Sequence, residues 1–204
     1  MPINYKQKSI FVHIPKTGGT SIEYSMGIPM LSEKHFRSHR LQTIDNVKYA
    51  LQHLPVKILK KDKVMSRHWD NFFKFSIVRN PYTRALSEFF WVKGKTKKGL
   101  EFNHNEFTNF LKTFYRERNK DHTLTQCDYL LDEDGKIGVD YVGRFEELRK
   151  SWNHINEIVK FQRPLTLKHK SSNKNKYIKE LQPIHKKLIY KLFEEDFDVF
   201  KYKK

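Results

Sequence analysis

The stretch Ser9-Ile-Phe-Val-His-Ile14 is short, apolar and rich in β-branched residues, and it ends at Pro15. Such a run is typical of a strand buried in a parallel sheet. Lys16-Thr-Gly-Gly-Thr-Ser21 comes next, and residues 22–26 then begin a helical pattern that stops near a glycine. The chain therefore opens with a predicted strand, a glycine-containing loop and a helix.

A second unit of the same kind follows later in the chain. Residues 72–78 predict a strand that stops at Arg79-Asn80-Pro81, and residues 82–92 resume a helical pattern. Further predicted elements are helices over 44–53, 62–71, 105–118, 146–161 and 183–193 and a strand over 139–143. Strands that alternate with helices indicate an α/β fold, a parallel β-sheet flanked by helices. We expect one domain over residues 1–204, with ligand sites at the carboxyl ends of the strands.

The first of these strand ends carries the segment that we call the glycine loop, residues 15–21. Gly18 and Gly19 let the backbone turn tightly and bring N–H groups close to a ligand, and a helix N-terminus adds free donors. Lys16 adds a full positive charge, and the hydroxyls lie behind it. In a Walker A loop the lysine follows the glycines, so this order differs from that motif. The loop predicts a binding site for an anion such as phosphate.

The second strand end carries Arg79, whose guanidinium is suited to bidentate phosphate binding. Ser87 lies in the following predicted helix at a spacing that can return its hydroxyl toward the same anion. Taken one at a time, each residue has an ordinary alternative: Arg79 in an ion pair with a carboxylate, and Ser87 on a helix surface.

The composition admits anionic partners but does not select one. The 204 residues carry a formal net charge of +17, with a mean hydropathy of −0.76. Nucleic acid, an anionic membrane surface, a phosphorylated cofactor and an acidic polysaccharide all fit such a charge, and so does a merely lysine-rich surface. The one cysteine, Cys127, allows no intramolecular disulfide.

The two strand-end segments, Ile14-Pro-Lys-Thr-Gly-Gly-Thr-Ser21 and Ile77-Val-Arg-Asn-Pro-Tyr-Thr-Arg-Ala-Leu-Ser-Glu-Phe-Phe90, together resemble the carbohydrate sulfotransferases. These enzymes use 3′-phosphoadenosine 5′-phosphosulfate (PAPS), and the resemblance is to the group of heparan sulfate 2-O-sulfotransferase and its bacterial relatives. Residues 139–148 and 196–202 are also similar to the family. The resemblance implies an α/β fold related to the P-loop nucleotide kinases.

The resemblance also implies roles for individual residues. Lys16 would hold the 5′-phosphosulfate and stabilise charge on the bridging oxygen as the sulfuryl group leaves. The loop that lines this group would be formed by Thr17, Gly18, Gly19, Thr20 and Ser21. Arg79 and Ser87 would bind the 3′-phosphate. A basic, serine-containing loop at residues 168–176 would approach the nucleotide through Ser171 or its neighbours Lys170 and Ser172.

The acceptor hydroxyl needs a general base, which in related sulfotransferases is His or Glu. The family often has a His in a Lys-His pair after the first helix, so His35 is our first candidate. His39 is the alternative, and Glu23 in the first helix remains open. We expect His13, on the apolar strand, to be structural, and the sequence gives His53, His68 and His169 no particular role.

We expect the acceptor to be a carbohydrate or another hydroxyl compound, including an anionic glycan, and we expect neither nucleic acid nor a metal ion as a partner. The His residues are scattered without a metal-ligand spacing. The chain shows no signal-peptide pattern and no apolar run of membrane-spanning length. These features favour a cytoplasmic protein of a bacterium or virus, unless the chain is a lumenal domain cut from a longer Golgi enzyme.

Three alternatives stay open at the level of sequence. A P-loop-like nucleotide kinase shares the fold, but it should show a Walker A order and a Mg²⁺-binding Asp. A basic nucleic-acid-binding protein should show a recognisable binding motif. A family member that binds PAPS without turnover would keep Lys16, Arg79 and Ser87 and lack the base.

Overall fold

A computed structural model describes residues 2–28, 41–94, 101–167 and 177–204. The strands in these ranges are β1 (Ile3–Asn4), β2 (Ser9–Val12), β3 (Leu41–Ile44), β4 (Val47–Ala50), β5 (Phe73–Val78) and β6 (Tyr141–Arg144). The helices are α1 (Gly19–Ser25), α2 (Val56–Lys61), α3 (Ser66–Trp69), α4 (Pro81–Gly94), α5 (His104–Thr113), α6 (Gln126–Leu130), α7 (Leu148–Val159) and α8 (Pro183–Val199).

The main sheet has the strand order β1-β2-β5-β6. β2, β5 and β6 run parallel, with Phe11 opposite Phe75 and Ile77 opposite Gly143. Only the short edge strand β1 is antiparallel, so the sheet is mixed. The α/β prediction is confirmed, and the carboxyl ends of three neighbouring strands meet at one edge of the sheet.

Each face of the sheet is covered by its own set of helices, because successive strand residues point to opposite faces. Phe11, Phe75 and Ile77 pack in one cluster with the apolar side chains of α1 and α7. Ile10 and Val12 belong to the other cluster, with side chains of α4, α5 and α8. The sheet is therefore buried on both sides, and its edge at the strand ends is where polar groups can gather.

The prediction of a helix over residues 44–53 is wrong. β3 and β4 form an antiparallel hairpin there, and Asp45 and Asn46 at its turn have φ values of +48° and +62°. Two central residues with positive φ make a type I′ turn, for which Asp and Asn are suited. The hairpin also has distant partners, since the Lys48 N–H donates to the Asn119 carbonyl and the Ala50 N–H to the Asp121 carboxylate.

The other predicted elements are present with shifted ends. β2 ends at Val12, two residues before the predicted strand end, and α5 ends at Thr113. α8 continues to Val199 through a non-helical residue, Phe193. Within the described ranges, no helix is long and apolar enough to cross a membrane.

Candidate active site

The glycine loop leaves the end of β2 and turns sharply into α1. Lys16 and Gly18 have φ values of +69° and +90°, so the chain is in the left-handed region on both sides of Thr17. The Thr17 hydroxyl is fully buried and donates to the Ile14 carbonyl at 2.9 Å. Thr17 therefore braces the loop through its side chain. Lys16, Gly18 and Thr20 are half-buried, whereas Ser21 is buried.

His13 lies directly beneath this loop. Its Nδ1 donates to the Glu23 carboxylate at 2.6 Å, and its ring stacks on Phe11. A Cβ atom placed on Gly19 would lie only 1.8 Å from His13 Nε2. Gly19 is thus required by a close approach, and Glu23, a sequence candidate for the base, is engaged in holding the His13 ring.

Arg79 follows the end of β5 and reaches across to the glycine loop. Its guanidinium NH1 donates to the Lys16 carbonyl at 3.1 Å, and its Nε donates to the Thr83 hydroxyl at 2.9 Å. The guanidinium also lies 4.1 Å from the centre of the Phe145 ring. Burial lowers the pKa of Arg79 to about 10, with the Glu146 carboxylate acting in the opposite direction. The side chain is therefore still a cation at neutral pH.

Helix α4 supplies two more polar side chains at this edge of the sheet. Arg84 is buried and donates from Nε to the Pro15 carbonyl at 3.3 Å and from NH2 to the Leu124 carbonyl at 2.9 Å. Ser87, one turn further along α4, is also buried. The structure thus brings Arg79 and the glycine loop into direct contact, with Arg84 as a second link.

Three histidines come together behind Lys16. The His53 ring lies 4.4 Å from the His13 ring and 5.5 Å from the His122 ring, measured between ring centres. His53 is buried, and its Nδ1 donates to the His13 carbonyl at 2.8 Å. Because a carbonyl only accepts, Nδ1 carries the proton and Nε2 carries the lone pair. In this structure the Nε2 lone pair accepts a hydrogen bond from the Gln52 amide nitrogen at 3.0 Å.

The surroundings of His53 favour its neutral form. Burial lowers its pKa well below the usual 6.5, and repulsion from His13, His122 and Lys16 acts in the same direction. His53 has no particular role in the sequence-based prediction. It lies in the single 3₁₀ turn Leu51–His53 that follows β4, and its contact with the His13 carbonyl joins residues 40 positions apart, so no local pattern indicates it.

His122 forms a second His–carboxylate pair beside Lys16. Its Nδ1 lies 2.9 Å from Glu88 Oε1, and the Glu88 side chain is only 1% exposed. The His122 ring stacks on Trp91 at 4.4 Å, and the Lys16 ammonium lies 5.0 Å from the centre of the same indole. The lysine side chain therefore points into the same space as the histidines.

A metal ion could in principle be held here, because ligand atoms of His53, Asp121 and His122 lie within 4.8 Å of one another. The Asp121 carboxylate already accepts from the backbone N–H groups of Ala50 and His122. The His53 lone pair accepts from Gln52. In the described part of the chain these groups are thus satisfied by protein partners, and a metal would have to displace Gln52.

His35, His39 and Ser171 lie outside the described residues, as do Lys170 and Ser172. The roles that the sequence assigns to them stay predictions. The described candidates, Lys16 to Ser21 and Arg79, meet at the edge where β2 and β5 end.

The groups at this edge of the sheet limit the chemistry that the site can perform. A lysine-bearing loop and a buried arginine can bind an anion, and a neutral, oriented imidazole beside them can accept a proton. Such groups are suited to the transfer of a charged group to a hydroxyl. Comparison with known protein families assigns the chain more narrowly. It belongs to the sulfotransferase family, whose family model matches residues 2–203. No curated protein matches the chain significantly, and neither does any solved structure.

Family membership makes the protein a transferase of sulfuryl groups.

The contact between Gly19 and His13 leads to a test of the glycine loop. Gly19→Ala is expected to displace the loop and to weaken anion binding at least tenfold, because the added methyl cannot share space with a ring held by Glu23. Gly94→Ala is the control, since no described side chain lies within 4 Å of its Cβ position. Titration calorimetry with adenosine 3′,5′-bisphosphate measures both. Equal affinity of the two variants would contradict the described loop.

Proposed function

We propose that this protein transfers the sulfuryl group of PAPS to a hydroxyl of a carbohydrate acceptor. The observation that carries the proposal is the hydrogen bond from the Arg79 guanidinium to the Lys16 carbonyl. It joins the two segments that resemble the 5′-phosphosulfate loop and the 3′-phosphate segment of PAPS-dependent enzymes. PAPS carries anionic groups at both ends of one nucleoside, so a cation in each of two touching segments fits it.

The cofactor residues follow from this assignment. Lys16 binds the 5′-phosphosulfate with the loop residues Thr17, Gly18, Gly19, Thr20 and Ser21. Arg79 and Ser87 bind the 3′-phosphate, and Ser171 is expected to join them from its basic loop. The whole chain, 1–204, forms one catalytic domain.

When bound, PAPS supplies the sulfuryl group, and adenosine 3′,5′-bisphosphate is the leaving group. The contribution of the protein is to align the groups for in-line displacement and to stabilise developing charge. Lys16 donates to the bridging oxygen as negative charge grows there. Its ammonium lies 5.0 Å from the centre of the Trp91 indole, and a cation–π contact at a partly exposed site is worth only about 1 kcal/mol, so this contact does not prevent the lysine from turning to a ligand.

The acceptor proton goes to a histidine. The contacts of His53 support it as the base: the His13 carbonyl fixes its tautomer, and among the described residues the hydrogen bond to its Nε2 lone pair comes from the neutral Gln52 amide. The sequence candidates His35 and His39 compete for the same role. All three fit a mechanism in which a neutral imidazole takes the hydroxyl proton as the sulfuryl group arrives.

The acceptor class rests on the resemblance to heparan sulfate 2-O-sulfotransferase and on charge. A net charge of +17 attracts an anionic glycan over distances of about 10 Å at moderate salt. The proposed acceptor is therefore a carbohydrate, and the charge of the protein is compatible with an acidic polysaccharide as that carbohydrate.

Nucleotide binding tests the proposal directly. The wild-type protein should bind adenosine 3′,5′-bisphosphate in the micromolar range, and Arg79→Ala should weaken binding at least tenfold, since a charge-assisted hydrogen bond contributes about 1.5–3 kcal/mol. Arg67→Ala removes an equal charge from an exposed position and should bind as the wild type does. The proposal would be refuted if the wild-type protein showed no binding of adenosine 3′,5′-bisphosphate and bound AMP or DNA instead.

The role of His53 predicts a distinctive pH dependence. A base must be neutral, so the rate falls as pH drops through its pKa, and burial has moved that pKa well below 6.5. With heparan sulfate as acceptor, the acidic limb of kcat/KM should therefore lie below pH 6.5. His53→Ala should lower kcat by about 10²–10⁴ while nucleotide affinity is retained.

The controls separate the candidate bases. His154→Ala changes an exposed histidine on α7 and should leave kcat unchanged. His35→Ala and His39→Ala are measured alongside. If kcat falls in His35→Ala or in His39→Ala while His53→Ala retains the wild-type kcat, the base is the histidine whose loss lowers kcat and not His53.

A further inference from the structure

The side-chain amide of Gln126 forms hydrogen bonds with both the backbone N–H and the backbone carbonyl of Arg79. The Arg79 N–H donates to Gln126 Oε1 at 2.7 Å, and Gln126 Nε2 donates to the Arg79 carbonyl at 2.9 Å. The ladder between β5 and β6 ends one residue earlier, at the pair Val78 and Arg144. The amide thus replaces a neighbouring strand for one residue, in a place where buried backbone groups need partners.

Gln126 is itself held from the C-terminal helix. Its backbone N–H donates to Asp196 Oδ2 at 3.0 Å, and the next N–H, of Cys127, donates to Asp196 Oδ1 at 2.9 Å. Gln126 and Asp196 are both fully buried. Thr125 and Asp128 form a capping box around the same turn. The start of α6 is therefore anchored at several points, and the Gln126 side chain extends from a rigid base.

This anchoring holds the Arg79 backbone, from which the guanidinium extends. The described hydrogen bonds of that group, to Thr83 and to the Lys16 carbonyl, use two of the five N–H donors of an arginine. A bidentate contact with phosphate demands a fixed direction of the planar fork. Loss of the amide would leave two buried backbone groups without partners, and the main chain would have to move to satisfy them.

We propose that Gln126 is the positioning residue that makes the protein select nucleotides with a 3′-phosphate over nucleotides without one. The inference rests on the proposed function, because it takes Arg79 as the group that binds the 3′-phosphate. Gln126 acts through Arg79 and does not touch the nucleotide.

The test compares two ligands that differ in the 3′-phosphate alone, adenosine 3′,5′-bisphosphate and AMP. Gln126→Met keeps the length of the side chain and removes both hydrogen bonds. The ratio of the Kd for AMP to the Kd for the bisphosphate should fall about tenfold in this variant, with little change in the Kd for AMP. Asp196→Asn keeps the shape of its side chain and should lower the ratio in the same direction.

Ile155→Ala is the control for a general loss of stability. Ile155 is fully buried on α7, in the core on the opposite face of the sheet, and its truncation should lower the unfolding temperature without changing the ratio. An unchanged ratio in folded Gln126→Met or Asp196→Asn would overturn the inference alone. A wild-type protein without preference for the bisphosphate would overturn the proposed function as well.

Discussion

The hydrogen bond from the buried Arg79 guanidinium to the Lys16 carbonyl is the constraint around which the site is built. A buried cation is costly unless its donors are satisfied and a counter-charge is near. Here a carbonyl and a hydroxyl satisfy part of the group and the Phe145 ring lies against it, and in the proposed function a 3′-phosphate accepts from the other donors. The same bond fixes the distance between the two cationic segments, and so the kind of ligand that can span them.

The parallel sheet makes this contact possible. β2 and β5 are hydrogen-bonded neighbours that run in the same direction, so the residues following Val12 and Val78 emerge at one edge. The left-handed conformation at Lys16 and Gly18 turns the first segment back over that edge, and Arg84 ties it to α4. The histidines come from the residue after β2, from the turn after β4 and from the segment before α6, so they are brought together from parts of the chain that are far apart in sequence.

Local pattern was enough to predict the α/β fold and the two segments that follow β2 and β5, although β2 ends two residues earlier than its apolar run. Those features lie in contiguous stretches, where apolar runs and glycine spacing are informative. The hairpin at residues 41–50 was not predicted, because the apolar spacing at Ile44, Val47 and Leu51 is also typical of a helix. The turn at Asp45-Asn46 and the hydrogen bond from Ala50 to Asp121 stabilise the hairpin instead. The places of His53, His122 and Gln126 depend on contacts across 40 or more residues, which no local pattern contains.

The most direct measurement is a crystal structure of the protein with adenosine 3′,5′-bisphosphate. The account predicts the 3′-phosphate within hydrogen-bond distance of the Arg79 guanidinium and the Ser87 hydroxyl, and the 5′-phosphate on the glycine loop beside Lys16. A nucleotide bound in the reverse direction, or bound away from the ends of β2 and β5, would contradict it.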